Sequence, residues 1–274
     1  MLSEDYYLAS EKVSTSGPQH LKRSDPNLRR PLLTCVIGAK GADGSVIIAD
    51  TRVLRNEYEA NNESKINLLW DRAVLAGAGA TAILDKLAEK VNTLPAPSNP
   101  TFAQIEETIE DIAAKLRERY TPRLGTWDSR FDVIFMGLRD FDKGDPNLRL
   151  VTHLGVSEEV KDFAIIGHGS QYAMSIFKLL YSNMLTANEL GVLGYFTIAS
   201  IVAMGLDQSV GVGQLGPEAV VLLTDGAPTW LNPLTDQFKA CKDSLNTLRY
   251  RLKLVKSVWG SIPQAWENFP RDLY

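Results

Sequence analysis

Cysteine is scarce in this 274-residue chain, which has two, Cys35 and Cys241. A pair that far apart builds no disulfide framework, and a reducing, cytoplasmic setting fits better. Excess positive charge is also missing. Lys and Arg number 29 against 33 Asp and Glu, a formal net charge of −4. That balance argues against a generally nucleic-acid-binding surface. Histidine is rare as well, and His20, His153 and His168 show no metal-ligand spacing. Neither a metal nor another cofactor is expected. The N-terminal MLSEDYYLASEK lacks a continuous apolar core, so a secretory signal is not expected there. The best candidate for a membrane span, Leu190–Leu206, has 17 residues including three glycines and follows a Thr186…Glu189 capping pattern. It reads as a soluble helix buried on nearly all sides, and no membrane contact is expected.

What the chain does have is punctuated apolar patterning. Residues 1–33 are polar, aperiodic and hold Pro18, Pro26 and Pro31, the composition of a loosely attached extension. Strand patterns fill 34–77, and helical spacing follows in AILDKLAEKV. Thr101 and Gln104 then form a capping box ahead of a buried stripe of Phe102, Ile105, Ile109, Ile112 and Leu116. Strands return at FDVIFMGLRD, LRLVTHLG and DFAIIG, then helices near 170–182 and 187–206, then the strand EAVVLLTD. A last helix is expected from about Asp236 to Val258. This order is not the strict alternation of a doubly wound fold. It points to an α+β chain with stacked sheets between helix layers.

Two hairpins carry the chemistry-bearing residues. In TCVIGAKGADGSVIIAD a glycine-rich turn near Gly41–Asp43 joins two apolar runs. Centred there, it places Thr34 opposite Asp50, and directly opposed residues share a face. In SKINLLWDRAVLAGAG a turn at Asp71–Arg72 places Lys65 opposite Gly77 or Ala78. Taken singly, each residue has an ordinary explanation: a β-forming threonine, a strand-end carboxylate, a solvated lysine, a turn glycine. Cys35 alternates to the face opposite Thr34 and is expected to pack inward. The GVGQLG at 211–216 matches a dinucleotide-loop pattern, but it follows a helix and precedes a strand, which is the wrong context.

The ordered string TCVIGAKGADGSVIIADTRV…SKI…AVLAGAGA resembles proteasome β-type subunits and their HslV-like relatives. In that family a threonine becomes the first residue of the mature chain, with an acidic residue sixteen positions on and a lysine about sixteen further. Here Asp50 lies sixteen after Thr34, and Lys65 fifteen after Asp50. The resemblance implies a four-layer αββα sandwich of two antiparallel sheets, the N-terminal-nucleophile hydrolase fold. It divides the chain into a candidate propeptide at 1–33, a domain at 34–226, and a C-terminal helix and tail at 227–274 packed on that domain.

The implied activity is that of a threonine endopeptidase in a stacked-ring assembly with other proteasome-type subunits, cutting unfolded polypeptide. A threonine hydroxyl must lose its proton to attack, and a freed Thr34 would supply its own amine as base. Lys65 would ease that deprotonation by charge proximity, and Asp50 would hold Lys65. The Gly77 N–H would face the tetrahedral oxyanion. Asp207 matches an auxiliary aspartate, with Ser209 beside Val210, where the family has a serine. In GHGSQ the family serine is replaced by His168, with Ser170 next in line. The bond to be cut is Leu33–Thr34, where the family usually has glycine before the threonine. Val53 and Leu75 are candidates for the pocket wall. Two alternatives stay open: a non-catalytic ring subunit, and a related amidase or transpeptidase.

Overall fold

A glycine-bearing turn sets the first hairpin. A computed structural model gives the structure of residues 34–55, 58–60, 64–70, 72–94, 101–125, 129–138, 146–207, 210–212, 216–224 and 226–231. Strand β1 (Val36–Lys40) turns back through Gly41 into β2 (Gly44–Ala49), with the Gly41 N–H donating to the Gly44 carbonyl at 2.8 Å. A Cβ at Gly41 would lie 2.5 Å from the Leu185 carbonyl oxygen, so the turn needs glycine for space. The register runs from Val36 opposite Ala49 to Lys40 opposite Ser45. It differs by one residue from the pairing expected above. Continued outward, it sets Asp50 opposite Cys35 rather than Thr34, because four residues, 41–44, separate the last paired positions Lys40 and Ser45 and centre the turn half a residue later.

Three further strands complete this sheet: β10 (Phe163–Ile166) beside β1, then β11 (Glu218–Leu223) beside β2, and β12 (Thr229–Trp230) outside β11. The second sheet runs β5 (Ile66–Leu69), β6 (Ala73–Gly79), β7 (Phe131–Leu138), β8 (Pro146–Val151) and β9 (Ser157–Glu159). All pairings in both sheets are antiparallel. A short ribbon pairs β3 (Val53–Arg55) with β4 (Tyr58–Ala60). The β5–β6 register, with Ile66 opposite Ala76, extends to Lys65 opposite Gly77, one of the two positions expected.

Period-two alternation sorts the side chains into three apolar layers. Val36, Ile47, Val74, Ile134, Met136 and Val220 fill the space between the sheets. On the outer face of the first sheet, Ile37 and Ile48 meet Phe177, Leu190 and Ile198 from α3 (Ser170–Leu180) and α4 (Ala187–Ala203). On the outer face of the second, Leu75 and Phe135 meet Leu87, Ile105 and Ile109 from α1 (Thr81–Thr93) and α2 (Phe102–Leu124). The architecture is therefore the αββα sandwich. Strands buried on both faces explain why their sequences read as continuous apolar runs.

The caps fall where the sequence places them. Thr101 and Gln104 form a reciprocal capping box on α2, and Thr186 and Glu189 form one on α4. Each is worth about 0.5–2 kcal/mol. Every residue from Leu190 to Ile201 of α4 is buried, and Gly194 lets the helix lie against Ile48, where a Cβ would come within 2.6 Å. No helix among the described residues is long and apolar enough to cross a membrane. The sheet also continues past 226: β12 pairs with Val220 and Val221, and Leu231 joins the α3–α4 core. The stretch from 227 therefore begins as part of the sandwich. The expected helix at 236–258 and the extension at 1–33 lie outside the described residues.

Candidate active site

Thr34 stands just ahead of β1 and is 4% exposed. Its Oγ1 accepts a hydrogen bond from Lys65 Nζ at 3.0 Å. The same ammonium donates to Asp50 Oδ1 at 2.8 Å. Asp50, 0% exposed, is held on both oxygens: the Cys35 N–H donates to Oδ1 at 2.9 Å and the Gly211 N–H to Oδ2 at 3.3 Å. Asp50 faces Cys35 across the ladder, where its own N–H reaches the Cys35 carbonyl at 3.1 Å, and Lys65 then bridges sideways to Thr34. Burial pushes the Asp50 carboxyl above its usual range, while the Lys65 ammonium and the two backbone donors act against that rise.

Cys35 takes the other face. Its side chain is fully buried in the α3–α4 core with Ala173, Phe177 and Val210, and burial pushes its thiol well above the ordinary range. A thiol kept neutral in this way is a packing group and not a nucleophile.

A second wall comes from the turn between β10 and α3. Gly167, at φ 95°, passes so close to Thr34 that a Cβ would sit 2.0 Å from its carbonyl oxygen. That oxygen also accepts the Gly169 N–H at 3.4 Å. Between these glycines stands His168, whose Nδ1 is 3.0 Å from Asp207 Oδ2. Ser170 opens α3, with its N–H on the Gly167 carbonyl at 3.2 Å. Thr34, Asp50 and Lys65 are thus directly bonded, and His168 and Asp207 are bonded to each other on the turn that clasps the Thr34 main chain.

The remaining candidates are placed as follows. A Cβ at Gly77 would lie 2.3 Å from Leu84 Cδ2 of α1, so glycine spares that partly buried side chain a shift. Leu75, a candidate for the pocket wall, is 1% exposed and packed with Ile83 and Leu87 in the α1–α2 core, which leaves it no open wall to line. Val53 lies in β3, and its side chain is outside the described residues, as are Ser209 and Leu33.

Three contacts were not anticipated from the sequence. Gly211 braces Asp50 and also accepts the N–H groups of Thr51 and Arg52, each at 3.1 Å. The Thr51 hydroxyl donates to the Gly216 carbonyl at 3.3 Å. Glu218 Oε1 accepts from the N–H of Lys65 and, at 3.0 Å, from that of Ile66. Their signal in sequence is faint: two glycines in a motif rejected for another role, and one carboxylate heading an apolar strand.

Compared with models of known families, residues 34–207 match the proteasome subunit family. The chain belongs to the proteasome subunit family. A search of curated proteins found no match. The match to the proteasome family begins at Thr34 and ends at Asp207, two of the residues brought to this corner of the sandwich. Gly211 and Glu218 lie beyond it. Membership in a subunit family implies assembly with other proteasome-type subunits in rings.

Proposed function

We propose that the chain is a threonine-type peptide hydrolase subunit whose nucleophile is Thr34, freed by cleavage of the Leu33–Thr34 bond. The observation that carries this reading is the single Lys65 ammonium, bonded at once to Thr34 Oγ1 at 3.0 Å and to the buried Asp50 at 2.8 Å. A cation held against a hydroxyl in a low-dielectric corner stabilises the alkoxide that develops as the hydroxyl attacks. The Thr34 Cβ is also fixed, since the neighbouring Cys35 N–H is tied to Asp50 and the Thr34 carbonyl to Gly169.

The chemistry follows from these placements. The freed Thr34 amine takes the hydroxyl proton, and Oγ1 bonds to the carbonyl carbon of the peptide. The resemblance assigns the resulting oxyanion to the Gly77 N–H, a contribution of about 10²–10³ in rate. The tetrahedral carbon expels the amine, which leaves with the proton held by Thr34, and an ester remains on Oγ1. Water adds to that ester by the same proton relay and releases the acid. Asp50 keeps the Lys65 ammonium aimed at Thr34 Oγ1. The substrate is unfolded polypeptide reaching a chamber formed with other family subunits in the cytoplasm.

The test is peptide hydrolysis by the assembled ring. Wild type should turn over short fluorogenic peptides, and Thr34→Ala should not while still assembling. Equal rates in the two would remove Thr34 from the chemistry. An assembled but inert wild type would favour a non-catalytic ring subunit.

A further inference from the structure

Lys65 is not in a strand. It sits one residue before β5 begins at Ile66, on a segment whose first described residue is Ser64. A long, flexible side chain on a strand-end backbone is a poor device for holding a charge within 3 Å of two different oxygens. Something must hold the main chain as well. Asp50 grips only the tip.

Glu218 meets that need from the opposite sheet. It heads β11 and stands opposite Ala49, so it is the cross-strand neighbour of the residue just before Asp50. Its Oε1 accepts the N–H of Lys65 itself and the N–H of Ile66 at 3.0 Å, the latter shared with Ser64 Oγ at 3.3 Å. Two residues earlier, the Gly216 carbonyl takes the Thr51 hydroxyl, on the other side of Asp50. The stretch 216–218 thus touches both flanks of the Asp50–Lys65 pair. Burial pushes the Glu218 carboxyl above its usual range, and the Ser64 and backbone hydrogen bonds act against it. A carboxylate retained in such a place at the head of EAVVLL is costly unless its bonds are used.

We infer that Glu218 is a positioning residue for the proposed hydrolysis: it fixes the Lys65 main chain against the first sheet so that the ammonium reaches Thr34 and Asp50 together. This rests on the reading of Thr34 as nucleophile. Two carboxylates of the first sheet then hold one lysine of the second, Asp50 by its ammonium and Glu218 by its peptide N–H. Glu218 touches neither substrate nor the reacting atoms.

The consequence is specific. Removing the Oε1 acceptor frees the Lys65 N–H, leaves the Ile66 N–H only the Ser64 Oγ at 3.3 Å, and lets the ammonium drift, and misplacement by an ångström is enough to cost about 10²-fold in rate. Glu218→Ala should lower kcat by about 10–10²-fold while leaving KM within about two-fold, since substrate binding is untouched. Glu218→Gln keeps an oxygen where Oε1 stands and should recover most of that loss.

Both variants are to be compared with wild type as assembled full-length protein, by peptide kinetics and by amide hydrogen exchange at Lys65 and Ile66. The expected result is a kcat loss and faster exchange at these two amides in Glu218→Ala, with both restored in Glu218→Gln. Wild-type kcat, or unchanged exchange, in Glu218→Ala overturns the inference. A loss of kcat equal in Ala and Gln also overturns it, because an acceptor role predicts rescue. If wild type hydrolyses nothing, the reading of Thr34 fails by itself. The exchange data then decide the anchor separately: protected amides that open in Glu218→Ala support it, and amides insensitive to the change sink it.

Discussion

Two pairs, each of a nitrogen-bearing side chain and a carboxylate, flank the Thr34 main chain, and they differ in their access to water. Lys65 and Asp50 meet at 2.8 Å with side chains 9% and 0% exposed. His168 and Asp207 meet at 3.0 Å, but the imidazole is 60% exposed and only the carboxylate, at 6%, is buried. The first pair is sealed between the sheets' ends and bonded to the Thr34 hydroxyl. The second rides on the turn that clasps the Thr34 carbonyl, with its ring in solvent. Distance therefore does not separate them, and burial does. A sealed pair holds one charge in one place, whereas a half-open pair is screened and replaceable.

The sharpest way to break that contrast is to delete the nitrogen-bearing side chain of each pair. Lys65→Ala should reduce peptide turnover by at least about 10²–10³-fold, the range of a lost electrostatic stabiliser of developing negative charge. Lys65→Arg should not rescue it, because the planar fork is larger and bonds in a different geometry. His168→Ala should cost less than about ten-fold by the same assay, in line with a half-exposed pair. Equal losses at the two sites would erase the distinction.

Stability should separate the pairs next. Asp50→Asn keeps the side-chain shape but leaves the Lys65 cation unmatched in a buried site, which typically costs about 3–5 kcal/mol. His168→Ala removes a ring already facing water and should change unfolding free energy by less than about 1 kcal/mol. Denaturant titration of the assembled protein, or of its dissociated subunit, reads both.

A pH profile gives a smaller but cleaner test. Protonating Asp50 removes the charge that holds Lys65, so turnover should fall as pH drops through the Asp50 pKa. Because burial raises that value, the acid limb should lie above the roughly 3.9 of an exposed aspartate. Glu218 is raised for the same reason. The limb should persist in Glu218→Gln if it belongs to Asp50, and its loss there would reassign it to Glu218.

The same contrast explains what could be read in the chain before its fold. Helices α2 and α4 announced themselves through capping boxes and, in α2, an apolar stripe, because those signals are local. Lys65 opposite Gly77 was legible because a short hairpin obeys simple counting. Thr34 and Asp50 belonged together, yet the counting missed by one residue, and the Lys65 bridge absorbs that slip. Gly211 and Glu218 left only a faint signal. Each acts across more than 150 positions of chain, on Asp50 and on the Lys65 and Ile66 amides, and no periodicity records such a contact. Strand β9, with the polar sequence SEE at a sheet edge, lacked any apolar signal. Leu75 shows the opposite failure: alternation along β6 sends it to the helix-covered face, a direction that no spacing from Thr34 reveals.

Everything proposed for the buried pair depends on a free Thr34 amine, so the decisive measurement is the intact mass of the assembled chain. On the proposed reading, the Thr34 hydroxyl attacks the Leu33 carbonyl, an ester forms as the amide bond breaks, and water opens that ester to release residues 1–33. Leu33 restricts the backbone more than glycine would, so the cut is expected to be slow or to await assembly. Mass spectrometry of assembled wild type should show a chain beginning at Thr34, and Thr34→Ala, assembled in the same way, should keep all 33 preceding residues. A fully assembled wild type that still carries Met1–Leu33 would contradict the account and leave Thr34 an ordinary residue at the head of a strand.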